Sequence, residues 1–253
     1  MRRASLLLTV PLLTLALAGS AGAEGKGRMA DPRWTLLQAE DRTEEDRKDD
    51  ESRKPLDLLR FIDIKPGWKV ADIGAGGGYT TELMVRAVGP SGKVYAQNTK
   101  GIIEKFVAKE WPARLARPVN KNVVAVVREF DDPLPPEAKD LDLVIDAFTY
   151  HDTVWLGTHR EQMNRKIFEA LKPGGLYVIL DHAGREGTGT SETKTFHRIE
   201  EKAVVAEVEK AGFKLARKGD FLRNPEDKRD ASVFGPLRGK TDRFVLAFEK
   251  PAK

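Results

Sequence analysis

The chain contains no cysteine among its 253 residues. A protein without cysteine has no disulfide, no thiolate metal ligand, no thiol nucleophile and no site for a lipid anchor on an N-terminal cysteine. Its 43 basic and 39 acidic residues nearly balance, and the two signs are interspersed along the chain. This distribution is typical of solvated helix faces, so we expect no nucleic-acid partner.

The chain also lacks an apolar run long enough to cross a membrane. Its most apolar stretch, residues 6–18, contains Pro11 and is shorter than the roughly 20 residues that a spanning helix needs. Arg2 and Arg3 precede this stretch, and small residues at 20–23 follow it. This order is typical of a cleavable secretory signal. We therefore predict a signal peptide at 1–23, an exported, periplasmic mature chain, and no stable membrane insertion after cleavage.

Two segments follow the predicted signal peptide: a helical extension at 24–65 and one α/β domain at 66–253. In the domain, short runs rich in Val, Ile and Leu alternate with helical stretches, which is typical of buried parallel strands and their crossover helices. Strands are predicted at 69–73, 93–97, 123–128, 141–147 and 176–181, and helices at 80–88, 101–111, 159–171 and 199–211.

The pattern changes near the end of the chain. Residues 212–218 and 242–250 have the composition of strands, and no convincing helix lies between them. Without a crossover helix the last two strands are expected to be antiparallel. The fold class is therefore α/β, with a mostly parallel seven-stranded sheet, an antiparallel last strand and helices on both faces. The long connection at 219–241 is a candidate lid or a solvated loop.

The most informative motif is VADIGAGGGYT at residues 70–80. A glycine-rich turn between a strand and a helix lets a ligand approach the backbone and the free amides at the helix N-terminus. In open parallel sheets, ligands bind at this edge. A dinucleotide-binding turn would need glycine where Tyr79 stands, whereas the chain has glycine at Gly74, Gly76 and Gly78.

Together with the strands at 94–98 and 141–147, the LKPGG segment at 171–175 and the final antiparallel strand, this turn resembles motif I of class I S-adenosylmethionine-dependent methyltransferases. The resemblance covers nearly the whole mature chain. It implies a Rossmann-like methyltransferase domain at 66–253, with S-adenosylmethionine as cofactor and a small molecule or another unidentified acceptor as substrate. The segments GPSGKVYAQN, FTYHD, ILDHAG and RGKTDRFVL are similar to a group of exported bacterial predicted methyltransferases.

The resemblance also implies which residues contact the cofactor. Asp72 and the glycines would hold its methionine part. Asn98 stands where most of the family has Asp or Glu for the ribose hydroxyls, and an amide offers one acceptor and one donor instead. A carboxylate near the adenine is expected at Asp131, with Asp132 as the alternative. The implied cofactor set is Asp72, Gly74, Gly76, Gly78, Asn98, Asp131 and Asp146, the last either on the pocket floor or bonded to neighbouring amides.

Three of the four histidines follow predicted strands at the same edge: His151, His182 and His197. These are the candidate catalytic residues, because a nearby base assists a hydroxyl acceptor. His151, between Tyr150 and Asp152, is the first candidate, and a solvated or structural role is the alternative for each. His159 is expected to cap or pack its helix. No two histidines show the close spacing of a metal motif, so no metal site is predicted.

A second function remains open at this point. The methyltransferase fold could serve an exported, non-catalytic binding protein that holds a nucleoside or an amino-acid-like ligand, since a fold does not fix a function. Asn98, in place of a carboxylate, supports this alternative. The oligomeric state is left open.

Overall fold

The structure is a computed structural model that describes residues 31–252. The predicted signal peptide and residues 24–30 lie outside the described residues. Three helices precede the sheet: α1 (Pro32–Leu37), α2 (Glu44–Arg53) and α3 (Pro55–Ile62). The strands are β1 (Lys69–Ile73), β2 (Lys93–Asn98), β3 (Val123–Val127), β4 (Leu141–Ala147), β5 (Leu171–His182), β6 (Lys214–Gly219) and β7 (Arg243–Glu249). The helices among them are α4 (Tyr79–Val88), α5 (Lys100–Phe106), α6 (Glu110–Leu115), α7 (Tyr150–Trp155), α8 (Arg160–Ala170) and α9 (Glu201–Lys210).

The seven strands form one sheet in the order β3-β2-β1-β4-β5-β7-β6. Neighbours from β3 to β5 are parallel, and β7 is antiparallel to both β5 and β6. The strand order reverses between β1 and β4, so the carboxyl ends of these strands frame the crevice in which ligands of such sheets bind. This arrangement confirms the predicted fold class.

Both faces of the sheet are covered, because successive side chains of each central strand enter two different hydrophobic clusters. Tyr177 and Ile179 of β5 belong to one cluster, and Val178 belongs to the other. Such burial on both sides explains why these strands are continuous apolar runs. None of the helices that the structure describes is long and apolar enough to cross a membrane.

Helices α1 and α3 pack on the sheet, and α2 reaches the glycine turn. Leu59 and Ile62 of α3 share a hydrophobic cluster with Met84 of α4. The hydroxyl of Tyr79, the residue after the turn, donates to Asp50 of α2 at 2.7 Å. The extension therefore forms one wall of the crevice.

Some predicted boundaries are wrong. The helix predicted at 101–111 is two short helices, α5 and α6, and β5 begins at Leu171, five residues before the predicted start. Helix α7 was not predicted. The connection at 219–241 contains no helix, as expected, and its first residue, Gly219, is the last residue of β6.

Candidate active site

The glycine turn joins β1 to α4, and its three predicted glycines have different reasons to be glycine. All have positive φ angles: +66° at Gly74, +55° at Gly76 and +84° at Gly78. A β-carbon would lie 2.5 Å from the Thr149 side chain at Gly74 and 2.8 Å from Cγ of Arg114 at Gly78. At Gly76 its nearest neighbour would be a carbonyl oxygen 4.0 Å away. Only Gly76 therefore leaves an open surface against which a ligand can lie.

Two amide side chains at the end of β2 hold this turn in place. Oδ1 of Asn98 accepts from the Gly76 amide at 2.8 Å, and its Nδ2 donates to the Gly76 carbonyl at 3.1 Å. Oε1 of Gln97 accepts from the Gly74 amide at 2.9 Å, and its Nε2 donates to the backbone carbonyl of Arg128. Both polar atoms of Asn98 are thus bonded to the turn, and its predicted ribose contact stays a prediction.

Two of the predicted cofactor carboxyls are buried beside the turn. Burial raises the pKa of Asp72 to about 7, although the Thr81 hydroxyl that donates to it at 2.6 Å acts in the opposite direction. Asp146 accepts from the Thr149 amide at 3.1 Å, and a bond to a neighbouring amide was one of the two roles predicted for it. Burial and the charge of Asp181 raise the pKa of Asp146 well above its usual value. Its second oxygen, Oδ2, is buried without a hydrogen-bond partner among the described residues.

Asp131 lies after β3 and accepts from the backbone amide of His159, at the start of α8. Asp132 forms an ion pair with Arg128 instead. The adenine contact predicted for Asp131 stays a prediction. The ring of His159 caps α8 by accepting from the Gln162 amide at 3.2 Å, so its predicted capping role is confirmed.

Two of the three candidate histidines meet on the other side of the crevice. Nδ1 of His151 lies 2.7 Å from the buried carboxylate of Asp181, and its Nε2 lies 3.3 Å from Nδ1 of His197. Oδ1 of Asp152 lies 3.1 Å from the first of these facing nitrogens and 3.2 Å from the second. Sequence reasoning placed these residues at one edge but did not predict that their ring nitrogens converge.

The charges around His151 determine its protonation. Burial of the ring lowers its pKa, but Asp181 and Asp152 outweigh this effect and raise the pKa to about 10. A base role for His151 therefore requires loss of a proton that the ring holds at neutral pH, and this role stays a prediction.

His182 lies beside the pair, with its ring centroid 5.9 Å from that of His151, but its ring nitrogen Nδ1 has a different partner. Its Nδ1 lies 2.8 Å from the Thr241 hydroxyl, and its ring centroid lies 5.2 Å from that of Phe148. Burial, the charge of His151 and that of Arg243 keep its pKa well below the usual value. His182 is therefore neutral at physiological pH.

Three arginines that sequence reasoning missed define this side of the crevice. Arg53 of α2 lies 4.7 Å from the Tyr79 ring and 5.5 Å from the Phe148 ring. Arg243 of β7 lies 5.7 Å from the same Phe148 ring.

The fully buried Arg198 pairs with Asp227 at 2.9 Å and donates to two carbonyl groups, which fixes the segment that carries His197. For Arg243, the sequence offered one signal, the expected antiparallel pairing of the last strand. In the structure this pairing places Arg243 opposite His182.

Comparisons with known proteins identify the family of the chain. A model of the protein-L-isoaspartate(D-aspartate) O-methyltransferase family (PCMT) matches residues 54–210, more than half of the chain. A protein-L-isoaspartate O-methyltransferase of Aeropyrum pernix is 30% identical over 122 residues, which are 48% of this chain and 42% of the relative. The ubiquinone/menaquinone biosynthesis C-methyltransferase UbiE of Ectopseudomonas mendocina is 30% identical over 123 residues, which are 49% of this chain and 45% of that relative. The chain thus spans less than half the length of these curated relatives.

A solved structure of an S-adenosylmethionine-dependent methyltransferase from Aquifex aeolicus shares the fold, with a TM-score of 0.57 and 19% identity over 90% of this chain and 97% of that one. The residues present fit the cofactor, because the turn is open at Gly76 and Asp146 has an unpartnered buried oxygen beside it. The chain therefore belongs to the protein-L-isoaspartate(D-aspartate) O-methyltransferase family.

Proposed function

We propose that the protein methylates a carboxylate oxygen of an anionic acceptor, which Arg53 and Arg243 hold beside Phe148. The observation that carries this proposal is the environment of Arg243. Its side chain is almost buried, with 7% exposure, and in the described part of the chain it donates only to the backbone carbonyl groups of Thr241 and Gly239.

A guanidinium in this position lacks the charge partner that burial normally requires. Burial and, after it, the positive charge of Arg53 lower the pKa of Arg243 to about 10, and the nearby Asp242 raises it by less than either of them lowers it. Asp242 is itself paired with Arg223 and Arg229. A carboxylate bound between Arg53 and Arg243 would relieve this repulsion, and guanidinium groups match carboxylates in geometry.

The two arginines also lie at the correct place in the crevice. Phe148, which both face, is followed by Thr149, whose hydroxyl donates to the Gly74 carbonyl at 3.3 Å. Arg53 stacks on Tyr79, the residue that follows the glycine turn. The proposed anion site therefore adjoins the part of the turn that the family uses for its cofactor.

The chemistry of a carboxylate acceptor suits this site. When bound, S-adenosylmethionine supplies an electrophilic methyl group, and a carboxylate is already ionised at neutral pH, so it needs no base. What the chain must contribute is orientation and exclusion of water. The Aeropyrum pernix relative is named a protein-L-isoaspartate O-methyltransferase. An isoaspartyl residue within a protein has one free carboxylate, so this name supports the same class of acceptor.

The alternative is the exported binding protein, which would use the same pocket without catalysis. The mature chain, residues 24–253, is titrated calorimetrically with S-adenosylmethionine and S-adenosylhomocysteine. Binding of both in the micromolar range, with methyl transfer to an isoaspartyl peptide or a small dicarboxylic acid, supports the enzyme. Binding of the product without any transfer supports the binding protein.

The anion site has its own test in Arg243→Met. This change should raise the acceptor KM by at least about tenfold, because it removes a charge-assisted contact, and it should leave cofactor affinity unchanged. Arg217→Met is the matched control, since Arg217 of β6 stacks on Phe61 away from the crevice. An equal effect of both changes, or a preference for a neutral phenol over carboxylates, would contradict the proposal.

We further propose that this enzyme acts after export, with residues 1–23 as the signal. Support comes from the order of charged, apolar and small residues in that segment. Cell fractionation of the full chain and of a chain that starts at residue 24 tests the proposal. Equal distribution of the two would contradict it.

A further inference from the structure

We propose that His151, Asp152 and His197 bind a divalent transition-metal ion, with zinc as the best match. The three ligand atoms are Nε2 of His151, Oδ1 of Asp152 and Nδ1 of His197. They lie 3.1 Å (His151 to Asp152), 3.2 Å (His197 to Asp152) and 3.3 Å (His151 to His197) apart. This site does not include Arg53 or Arg243, so the inference does not rest on the proposed carboxylate acceptor.

These distances describe a nearly equilateral triangle. In a tetrahedral zinc site with metal–ligand distances of about 2.0–2.2 Å, neighbouring ligand atoms are about 3.3–3.6 Å apart. The triangle in this protein is smaller by only a few tenths of an ångström, so small shifts of the three side chains would give the separations of a zinc site. Two imidazoles and one carboxylate favour zinc or iron, whereas magnesium and calcium prefer oxygen ligands.

The surroundings of His151 provide the second requirement of a metal site. Ligating histidines almost always donate their other ring N–H to a carboxylate or a carbonyl group, which orients the ring. Nδ1 of His151 donates to Asp181 at 2.7 Å, and Asp181 is itself held by the backbone amides of His151 and His182. Nε2 is thereby directed at the other two ligands. Trp155 orients Asp152 through a hydrogen bond of 2.8 Å from Nε1.

The triangle is closed on one side and open on the other. The side chain of His151 is buried, but those of Asp152 and His197 are 30% and 22% exposed. The rings of Trp155 and Phe234 flank His197 at centroid distances of 6.1 and 4.8 Å. Three protein ligands with an open fourth position are typical of zinc sites that accept water or a substrate oxygen, rather than of closed structural sites.

The test uses the mature chain, purified in chelator-treated buffer and titrated calorimetrically with zinc chloride. We expect one zinc ion per chain, and cobalt(II) chloride should give the strong visible absorption of a tetrahedral cobalt complex. Magnesium chloride should produce no binding heat. The absence of stoichiometric zinc and cobalt binding by folded protein would overturn the proposal.

Two variants locate the site. His197→Ala should weaken zinc binding by more than about 100-fold, since removal of even a residue that only orients a ligand costs about 10- to 100-fold. Asp152→Asn keeps the side-chain shape and removes the charge, so it should also weaken binding, and it replaces His197→Ala if that variant does not fold. His159→Asn is the control, because asparagine retains the helix cap while the chain loses one histidine elsewhere. Equal zinc affinity in all variants would overturn the assignment.

The same samples separate this inference from the proposed function. Cofactor binding and methyl transfer are measured in the presence of chelator and again with one equivalent of zinc. Loss of zinc binding with methyl transfer intact would reject only the metal site. Zinc binding without cofactor binding would reject the proposed methyl transfer to an anionic acceptor and would leave the metal site in place.

Discussion

The two sides of the crevice are held by different forces. On the glycine side, backbone groups are bonded to neutral amides, those of Gln97 and Asn98. On the histidine side, buried charged groups hold the site residues in place. Asp181 orients His151, and the ion pair of Arg198 with Asp227 fixes the segment of His197. Neutral amides offer donors and acceptors at low desolvation cost, whereas buried ions are stable only while every partner is present. The histidine side should therefore be the more fragile to single changes.

The largest effect is expected for Arg198→Met. It leaves Asp227 as an unpaired buried carboxylate and should lower the free energy of unfolding by about 3–5 kcal/mol, the usual cost of breaking a buried ion pair. Denaturant unfolding measures this change. Arg223→Met is the control, because Arg223 is 32% exposed and each of its partners keeps a second cation, Lys218 for Glu201 and Arg229 for Asp242. Similar losses in both variants would remove the contrast between the two sides.

The next largest effect concerns binding rather than folding. Gly76→Val places a side chain on the open surface of the turn and should weaken S-adenosylmethionine binding by about 100-fold, or about 2.7 kcal/mol. Gly174→Val controls for backbone strain, because Gly174 also has a positive φ, of +75°, and open space around it. Calorimetry on both variants provides the measurement. If cofactor affinity is unchanged in Gly76→Val, the ligand lies elsewhere.

A pH titration tests the buried carboxyl on the glycine side. The pKa of Asp72 is raised to about 7, so between pH 4 and 7 the folded chain binds a proton that the unfolded chain has released. Stability should therefore fall as pH rises through this window, with a limit of about 1.4 kcal/mol per pH unit for one proton. Asp72→Asn should remove this part of the fall. Parallel pH–stability curves for wild type and variant would show that Asp72 is ionised throughout.

Asn98→Asp should have a smaller effect on the same side. A carboxylate cannot donate to the Gly76 carbonyl, so the loss should be about 1–3 kcal/mol of stability, with weaker cofactor binding. Asn122→Asp is the control, since Nδ2 of Asn122 also donates to two carbonyl groups, of Gly89 and Gly92, far from the turn. A tenfold gain in S-adenosylmethionine affinity in Asn98→Asp would instead show that this position contacts the ribose, as the family resemblance implies.

The glycine side was predictable from sequence because its parts are close in the chain. Strand β1, the turn and α4 form one continuous segment, and their local pattern fixes the turn. The predicted strands at 69–73 and 141–147 match β1 and β4. The two hydrogen bonds between the Asn98 side chain and the backbone of Gly76 were not predicted. The family resemblance indicates a ligand contact at this position, and it gives no information about bonds within the chain.

The histidine side was less predictable because its residues come from distant segments. His197 reaches His151 through a single parallel bridge between Ala183 and Ile199, and Arg243 arrives on the last strand. Helix α7, which carries His151, has six residues and no side chain that caps its start, so local pattern gave no signal. The split between α5 and α6 was missed because helical composition continues across it.

The position of β7 determines the order in which this fold can be completed. The last strand lies between β5 and β6, so β6 pairs with the sheet only through β7. Until residues 243–249 have been synthesised, the apolar β5 has an unpaired edge, and such edges promote association between chains. A ribosome that stops after β6 would therefore release a chain prone to aggregation, in which the glycine turn is present but the sheet is incomplete.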